Sequence, residues 1–260
     1  MEKKMRLKTI VCSGVNEKNS IDEAVQFLKR HPNVEFGVQC SPKKAGFGTA
    51  RYAWLKELSS KLDEQKIKGR VALHLNEGFV TSFCEGKVAD EVAELLKESE
   101  AIGRLQLNFK IGREVFGTKK VPDIHLLTKS INEVQGHQII VSASNANLAY
   151  IQKMHYQGLK FDALFDDSFG EGILPDVRKS PLFDDVLQGY AGGISPENVA
   201  GELGKIAKVA NTDVFIDAEG KLKEDGTFSF EKAARYVQNA LNWQQFQGLQ
   251  QFQAKGGQEK

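Results

Sequence analysis

The chain has 260 residues, of which 41% are hydrophobic and 27% are charged, a composition typical of a globular protein with one large domain or two small ones. Its 35 basic and 34 acidic residues leave a net charge of +1 at pH 7. Because basic and acidic residues are nearly equal in number, the chain is not expected to bind nucleic acid or membrane through bulk charge, and we expect neither partner.

Short apolar runs alternate along the chain with longer segments of helical periodicity, a pattern typical of parallel strands covered by helices. The pattern predicts eight strands, over residues 7–12, 34–40, 70–76, 103–109, 137–143, 161–166, 189–194 and 213–217. It predicts amphipathic helices over residues 21–30, 50–62, 88–99, 147–154, 196–209 and 229–241. Eight such units in about 240 residues match a (β/α)8 TIM barrel, whose usual size is about 250 residues. A doubly wound open sheet is the alternative, but no GxGxxG motif follows the first strand.

The barrel domain is expected to span residues 1–241. The segment 242–260 is rich in glutamine and ends in a Lys-Gly-Gly region, so we expect it to extend the last helix and then fray. Alternatively, its aromatic residues Trp243, Phe246 and Phe252 cover the barrel or a partner subunit. The sequence leaves the oligomeric state open.

The cysteines and the N-terminal segment indicate an intracellular setting. No apolar run approaches the roughly 18 residues of a spanning helix, and no signal peptide is recognisable, so a cytoplasmic location is expected. Cys12, Cys40 and Cys84 form no CxxC pair and have no His at ligand spacing. We therefore expect reduced thiols and no metal site.

Polar residues gather at the carboxyl ends of the predicted strands, which is where barrels of this class carry their active sites. Among them are Ser13, His74, Asn76, Asn108, Ser142 and Asp217. His74 and His125 have no partner at a recognisable spacing, so we interpret both as ordinary structural residues.

Two glycine-containing loops follow the seventh and eighth predicted strands. Gly192 and Gly193 lie in AGGISPENV, just before a predicted helix start, and Asp217 to Gly220 form DAEG. Glycine lets a backbone approach a ligand closely, and a helix N-terminus offers N–H groups to an anion. The two loops therefore form a candidate phosphate site. A tight turn that needs glycine only for its dihedral angles is the alternative.

AGGISPENV resembles the AGGLxPENV stretch of phosphoribosylanthranilate isomerase, the barrel enzyme of tryptophan biosynthesis, in the same place after the seventh strand. Four other pieces of the sequence resemble further segments of that family, in the same order along the chain: IVCSGVN, QCSPKKAG, FDALFDDSFGEG and VFIDAEGKLKEDG. The resemblance implies a (β/α)8 isomerase that needs no cofactor or metal. It would convert a phosphoribosyl amine into an aminoketose phosphate by an Amadori rearrangement.

The resemblance also implies roles for individual residues. An acid must protonate the furanose ring oxygen, and a base must take the proton from the adjacent carbon. These roles fall on Asp166 as general acid and Cys12 as general base. Binding of the phosphosugar falls on Lys43, with Lys44 as the alternative, and on Gly170, Gly172, Gly192, Gly193, Asp217 and Gly220.

Departures from the family pattern leave the substrate open. CSG stands where the family has CG, so Ser13 is an alternative to Cys12. Glu171 and Glu219 stand in the expected ligand loops, where a carboxylate would repel a phosphate unless it turned outward. Other functions also remain: Schiff-base chemistry at Lys110, as in aldolase-type barrels, and a barrel without catalysis that serves in binding or assembly.

Overall fold

Eight parallel strands close into a barrel, in which each strand pairs with the next and β8 pairs with β1. The structure, a computed structural model, describes residues 4–109, 111, 121–166 and 172–256, with side chains described as far as residue 248. The barrel strands are β1 (Arg6–Ser13), β2 (Val34–Cys40), β3 (Val71–Leu75), β4 (Ile102–Leu107), β5 (Gln138–Ala143), β6 (Asp162–Phe165), β7 (Gln188–Tyr190) and β8 (Asp213–Ala218). The predicted (β/α)8 barrel is therefore confirmed.

Helices lie between most of the strands and pack their apolar faces against the barrel, whereas the described residues between β6 and β7 form no helix. They are α1 (Ile21–Arg30), α2 (Pro42–Ala45), α3 (Ala50–Glu64), α4 (Glu77–Cys84), α5 (Asp90–Glu98), α6 (Ile124–Glu133), α7 (Leu148–Tyr156), α8 (Val199–Ile206) and α9 (Phe230–Gly256). A short 3-10 helix (Gly220–Leu222) and a hairpin of β9 (Lys223–Glu224) and β10 (Thr227–Phe228) lie between β8 and α9. Within the described ranges, no helix is long and apolar enough to cross a membrane.

The sequence pattern does not predict helix α4. Its sequence, EGFVTSFC, contains glycine and a run of aromatic and β-branched residues, which have low helix propensity. The helix forms because Phe79, Val80, Phe83 and Cys84 are buried. Tertiary packing overrides local propensity here.

The last helix continues well beyond residue 241. Trp243 packs against the core, and Gln244 Nε2 donates a hydrogen bond to the Leu7 carbonyl at 3.3 Å. Phe246 is exposed. The first part of the glutamine-rich segment thus belongs to a helix that contacts β1.

Side chains along each strand alternate between the barrel interior and the layer beneath the helices. On β1, Val11 lies in an interior cluster with Ile140, Leu164 and Phe215. Cys12 lies in the larger cluster that includes the helices. Since neighbours on a strand point to opposite faces, this parity decides which residues reach the cavity at the barrel mouth.

A buried polar layer lies at the amino end of the barrel. Arg104 Nε is 3.5 Å from Glu35 Oε2 and donates a hydrogen bond of 2.7 Å to Gln138 Oε1. Burial raises the pKa of Glu35 to about 7 and the pKa of Asp162 to about 6, although the charge of Arg104 opposes both shifts.

Candidate active site

A polar cavity of about 300 Å³ opens at the carboxyl ends of the strands. Its lining draws polar side chains from several strands and the loops that follow them. They include Gln39, His74, Gln106, Ser142, Asp166 and Asp217. The candidate site therefore lies at the carboxyl end of the barrel, where the fold class and the family resemblance of the sequence predict an active site.

Asp217 is a buried carboxyl group in the lining of this cavity. It is 8% exposed, and its Oδ1 accepts a hydrogen bond of 2.6 Å from Ser13 Oγ. Burial raises the pKa of Asp217 to about 8, and the negative charges of Glu219 and Asp166 add to the rise while the Ser13 hydrogen bond opposes it. The carboxyl therefore retains its proton at neutral pH.

His74 is a second buried titratable group in the cavity. It is 1% exposed, and its Nε2 has no hydrogen-bond partner among the described residues. Burial lowers the pKa of His74 to about 4, although the charge of Glu219 opposes the shift, so the ring is neutral at pH 7. A buried ring nitrogen without a partner is costly, and a ligand in the cavity can supply one.

Gly37 makes room for these polar groups. A Cβ at Gly37 would lie 2.1 Å from Ser13 Oγ and 2.7 Å from His74 Nε2, both too close for any real side chain. Ser13 and His74 thus approach each other over a position on β2 that only glycine can occupy.

Cys12 does not reach the cavity. It is fully buried beneath the helices, where burial raises the pKa of its thiol well above the usual range and the charge of Asp217 adds to the rise. This corrects the expectation that Cys12 faces the substrate, because strand alternation turns Ser13 inward instead. A thiol in this environment also lacks the thiolate character that a base requires.

The remaining predicted site residues divide into three groups. Residues that line the cavity are Asp166, Gly172, Gly192, Gly193, Asp217 and Gly220. Lys44 lines it as well, whereas Lys43 is exposed and does not, so the alternative lysine is the one near the site. Gly170, Glu171 and Lys110 lie outside the described residues.

The loop after β7 is held in an unusual backbone conformation. Gly192 and Gly193 have φ of +83° and +65°, values that favour glycine. Arg178 Nη1 donates to the Ala191 carbonyl at 2.6 Å and its Nη2 donates to the Gly192 carbonyl at 3.4 Å, while Asn198 Nδ2 donates to the Gly193 carbonyl at 3.0 Å. Consecutive carbonyl groups of the loop are therefore tied to side chains.

The backbone N–H groups of the same loop remain available. Those of Gly192, Gly193 and Ile194 make no hydrogen bond to any residue that the structure describes. An adjoining recess shares Gly193, Gly220 and Lys221 with the cavity and also carries Lys223 and Lys232. Free N–H groups beside lysines are suited to an anion such as phosphate.

Glu219 is less repulsive than the sequence suggests. Lys223 Nζ lies 2.8 Å from Glu219 Oε1, and Gln39 Nε2 donates to Glu219 Oε2 at 2.9 Å. Burial raises the pKa of Glu219, but the hydrogen bond and charge of Lys223, with His74 and Gln39, outweigh it and lower the pKa overall. The carboxylate is charged but compensated.

Three residues of this site have no functional role predicted from the sequence. His74 is interpreted there as ordinary, and Gln39 and Gln106 are passed over. A two-residue spacing in the sequence could have identified such residues. It separates His74 from Asn76 at the end of the third predicted strand and Gln106 from Asn108 at the end of the fourth. Polar residues with that spacing share the interior face.

Solved structures share this fold. Phosphoribosylanthranilate isomerase from Pyrococcus furiosus is 12% identical, with a TM-score of 0.54 over 91% of this chain and 100% of that chain. The enzyme of that name from Thermotoga maritima is 14% identical, with a TM-score of 0.53 and the same coverage. A citrate lyase from Burkholderia xenovorans LB400 is also 14% identical, with a TM-score of 0.53 over 91% of this chain and 78% of that one.

At these identities the likeness establishes the barrel fold alone. No family model matches the chain, and no curated protein matches it.

Proposed function

We propose that this chain isomerises a small phosphorylated aminoaldose or aldose to the corresponding ketose at the carboxyl end of its barrel. The observation that carries the proposal is a buried carboxyl group, Asp217, that lines the cavity together with a second carboxyl group, Asp166. Beside them, the N–H groups of the glycine loop make no hydrogen bond to any described residue. Such a set offers an acid, a base and an anchor for phosphate.

The phosphate group would bind at the loop of Gly192 and Gly193. The N–H groups of this loop, which make no hydrogen bond to a described residue, are suited to an anion. Lys221 adds positive charge at the junction of the cavity and its recess. Anchoring the phosphate leaves the sugar carbons over the carboxyl groups. Holding the substrate in this way supplies part of the rate enhancement by positioning alone.

The two carboxyl groups divide the proton transfers. Asp217 gives its proton to the ring oxygen as the C1–O bond breaks, which leaves a Schiff base at C1. Asp166 then takes the proton from C2, the C–H electrons form the C1–C2 double bond, and the π electrons of the Schiff base move to its nitrogen. Asp166 returns that proton to C1, and the hydroxyl proton on O2 passes to Asp217 as the ketone forms, which restores both groups.

These roles differ from those that the family resemblance implies. There Asp166 is the acid and Cys12 the base. Since the Cys12 thiol lies outside the cavity and Asp217 retains its proton at neutral pH, the proposal assigns the acid to Asp217 and the base to Asp166. A buried carboxyl group that keeps its proton, beside a second carboxyl group in the same cavity, is suited to this division of labour.

A turnover assay tests the proposal. Purified protein is incubated with phosphoribosylanthranilate and with a panel of aldose and aminoaldose phosphates, and ketose formation is followed. Asp217→Asn and Asp166→Asn should each lower kcat by about 10²- to 10⁴-fold, the usual contribution of one acid or base. Full activity in both variants, or no turnover of any member of the panel, would overturn it. Borohydride trapping in the same assay tests the Lys110 alternative.

A further inference from the structure

Four carboxamide side chains form a continuous chain of hydrogen bonds around one side of the cavity. Gln106 Nε2 donates to Asn108 Oδ1 at 3.0 Å, and Asn108 Nδ2 donates to Asn76 Oδ1 at 3.1 Å. Asn76 Nδ2 donates to Gln39 Oε1 at 2.6 Å, and Gln39 Nε2 donates to Glu219. We call Gln39, Asn76, Gln106 and Asn108 the amide arc, and all four line the cavity.

Glu219 sets the direction of the whole arc. An ionised carboxylate only accepts hydrogen bonds, so Gln39 must turn its amino group toward it and its carbonyl oxygen toward Asn76. The same constraint passes to Asn108 and then to Gln106. Lys223 keeps Glu219 ionised, because its hydrogen bond and charge favour the carboxylate. The orientation of every amide follows from one charged residue.

The arc leaves hydrogen-bonding groups for a ligand. Each amide has two N–H donors, and within the described part of the chain Gln39, Asn108 and Gln106 each use one of them on a side chain. Both donors of Asn76 are used, one by Gln39 and one by the His74 carbonyl. His74 Nε2, which has no partner among the described residues, lies in the same lining.

We propose that the amide arc and His74 bind the hydroxyl groups of the substrate, so that the end remote from the phosphate is an uncharged polyol and not an apolar ring. This deepens the proposed function and rests on it. Hydroxyl groups both donate and accept, which matches spare amide N–H groups beside an unpartnered ring nitrogen. A second anionic group is disfavoured because the carboxylates of Asp166 and Glu219 line the same cavity.

An apolar aromatic ring in the same place would bind poorly. It would remove water from the spare donors of the arc without replacing the hydrogen bonds, and it would leave the buried His74 Nε2 without a partner. Sites built to hydrogen-bond a substrate reject analogues that lack the matching groups, because buried polar groups are then left unpaired. The arc thus separates this cavity from one that holds an anthranilate-like group.

Isothermal titration with four probes tests the inference. The probes are a linear pentitol phosphate, a phenylbutyl phosphate, the unphosphorylated pentitol and inorganic phosphate. The pentitol phosphate should bind at least about 10-fold more tightly than the phenylbutyl phosphate. Asn108→Leu and Glu219→Gln should each reduce that preference by about 10-fold, and the exposed Gln238→Leu should leave it unchanged. Inorganic phosphate should bind to Asn108→Leu as it binds to wild type.

The outcomes separate this inference from the function on which it rests. Equal binding of the two phosphate probes, or a preference unchanged in both arc variants, overturns the polyol assignment even if isomerase activity is found. If neither the pentitol nor the pentitol phosphate binds, the polyol assignment is also overturned. Binding of the pentitol, weakened in both arc variants, without any binding of phosphate supports the arc and removes the phosphate site from the proposed function.

Discussion

Ser13 Oγ donates a hydrogen bond of 2.6 Å to Asp217 Oδ1, joining the carboxyl ends of β1 and β8 across the closure of the barrel. The bond favours the ionised form of Asp217, against the larger effect of burial. It is therefore one control on the protonation of the proposed acid.

Removing this hydrogen bond should move the pH dependence of turnover. In Ser13→Ala the pKa of Asp217 should rise by about half to one unit further, since a hydrogen bond of about 1 kcal/mol is lost. For the active wild type, kcat should fall as pH rises through about 8, where Asp217 loses its proton. The falling limb of the Ser13→Ala profile should lie at higher pH, and an unmoved limb would contradict the role of Asp217.

Cys12→Ala separates two assignments of the base. Because the thiol packs beneath the helices, the variant should keep turnover within about threefold of wild type while losing about 1–2 kcal/mol of stability, as for small cavities in a core. Steady-state kinetics and thermal unfolding measure the two effects. A large loss of kcat in a folded variant would restore Cys12 as the base.

Stability should fall as pH rises through the neutral range. The pKa of Asp217 is raised from 3.8 to about 8, so between those values the unfolded chain releases a proton that the folded chain retains. Each such group lowers the free energy of unfolding by about 1.4 kcal/mol per pH unit, and Glu35 acts likewise up to its pKa of about 7. From pH 5 to pH 7, Asp217→Asn should therefore gain about 3 kcal/mol relative to wild type in urea unfolding.

The control for this experiment is the exposed Glu231→Gln. Its stability should follow that of wild type across the same pH range. A constant difference between Asp217→Asn and wild type would mean that Asp217 is ionised in the folded protein.

Gly37→Ala should damage the site directly. The added Cβ would displace Ser13 Oγ or His74 Nε2, and we expect turnover to fall by about 10²-fold or more, in line with misplaced catalytic groups. Gly201→Ala on α8 is the matched control, because its Cβ would meet nothing within 4 Å. It should raise stability by about 0.5–1 kcal/mol and leave turnover unchanged. Normal kinetics in Gly37→Ala would show that the Ser13 and His74 positions are not needed.

Arg178 should act through the glycine loop that it holds. Arg178→Lys cannot keep the hydrogen bonds to both loop carbonyls, so KM for a phosphorylated substrate should rise about 10-fold with a smaller change in kcat. Glu202→Gln weakens the ion pair of Arg178 but leaves those carbonyl bonds. It should lower the melting temperature without raising KM. Equal KM values in the two variants would assign Arg178 a purely structural role.

Local signals in the sequence predict most of the fold and the place of the site. Short apolar runs mark all eight strands, and the bounds of β2 and α1 are predicted to the residue. Gly192 and Gly193 mark a loop with left-handed backbone, which the structure contains. These features are predictable because they depend on the conformation of short segments.

The tertiary structure alone decides which groups meet. Whether Cys12 or Ser13 turns toward the barrel interior and Asp217 depends on the register of β1 against β8, in which Val11 pairs with Asp217 and Cys12 with Ala218. The amide arc draws on β2, β3 and β4, and it ends on Glu219, which follows β8. Strand register and side-chain parity are set when the interior packs and the barrel closes, so contacts between distant segments lie beyond any local pattern.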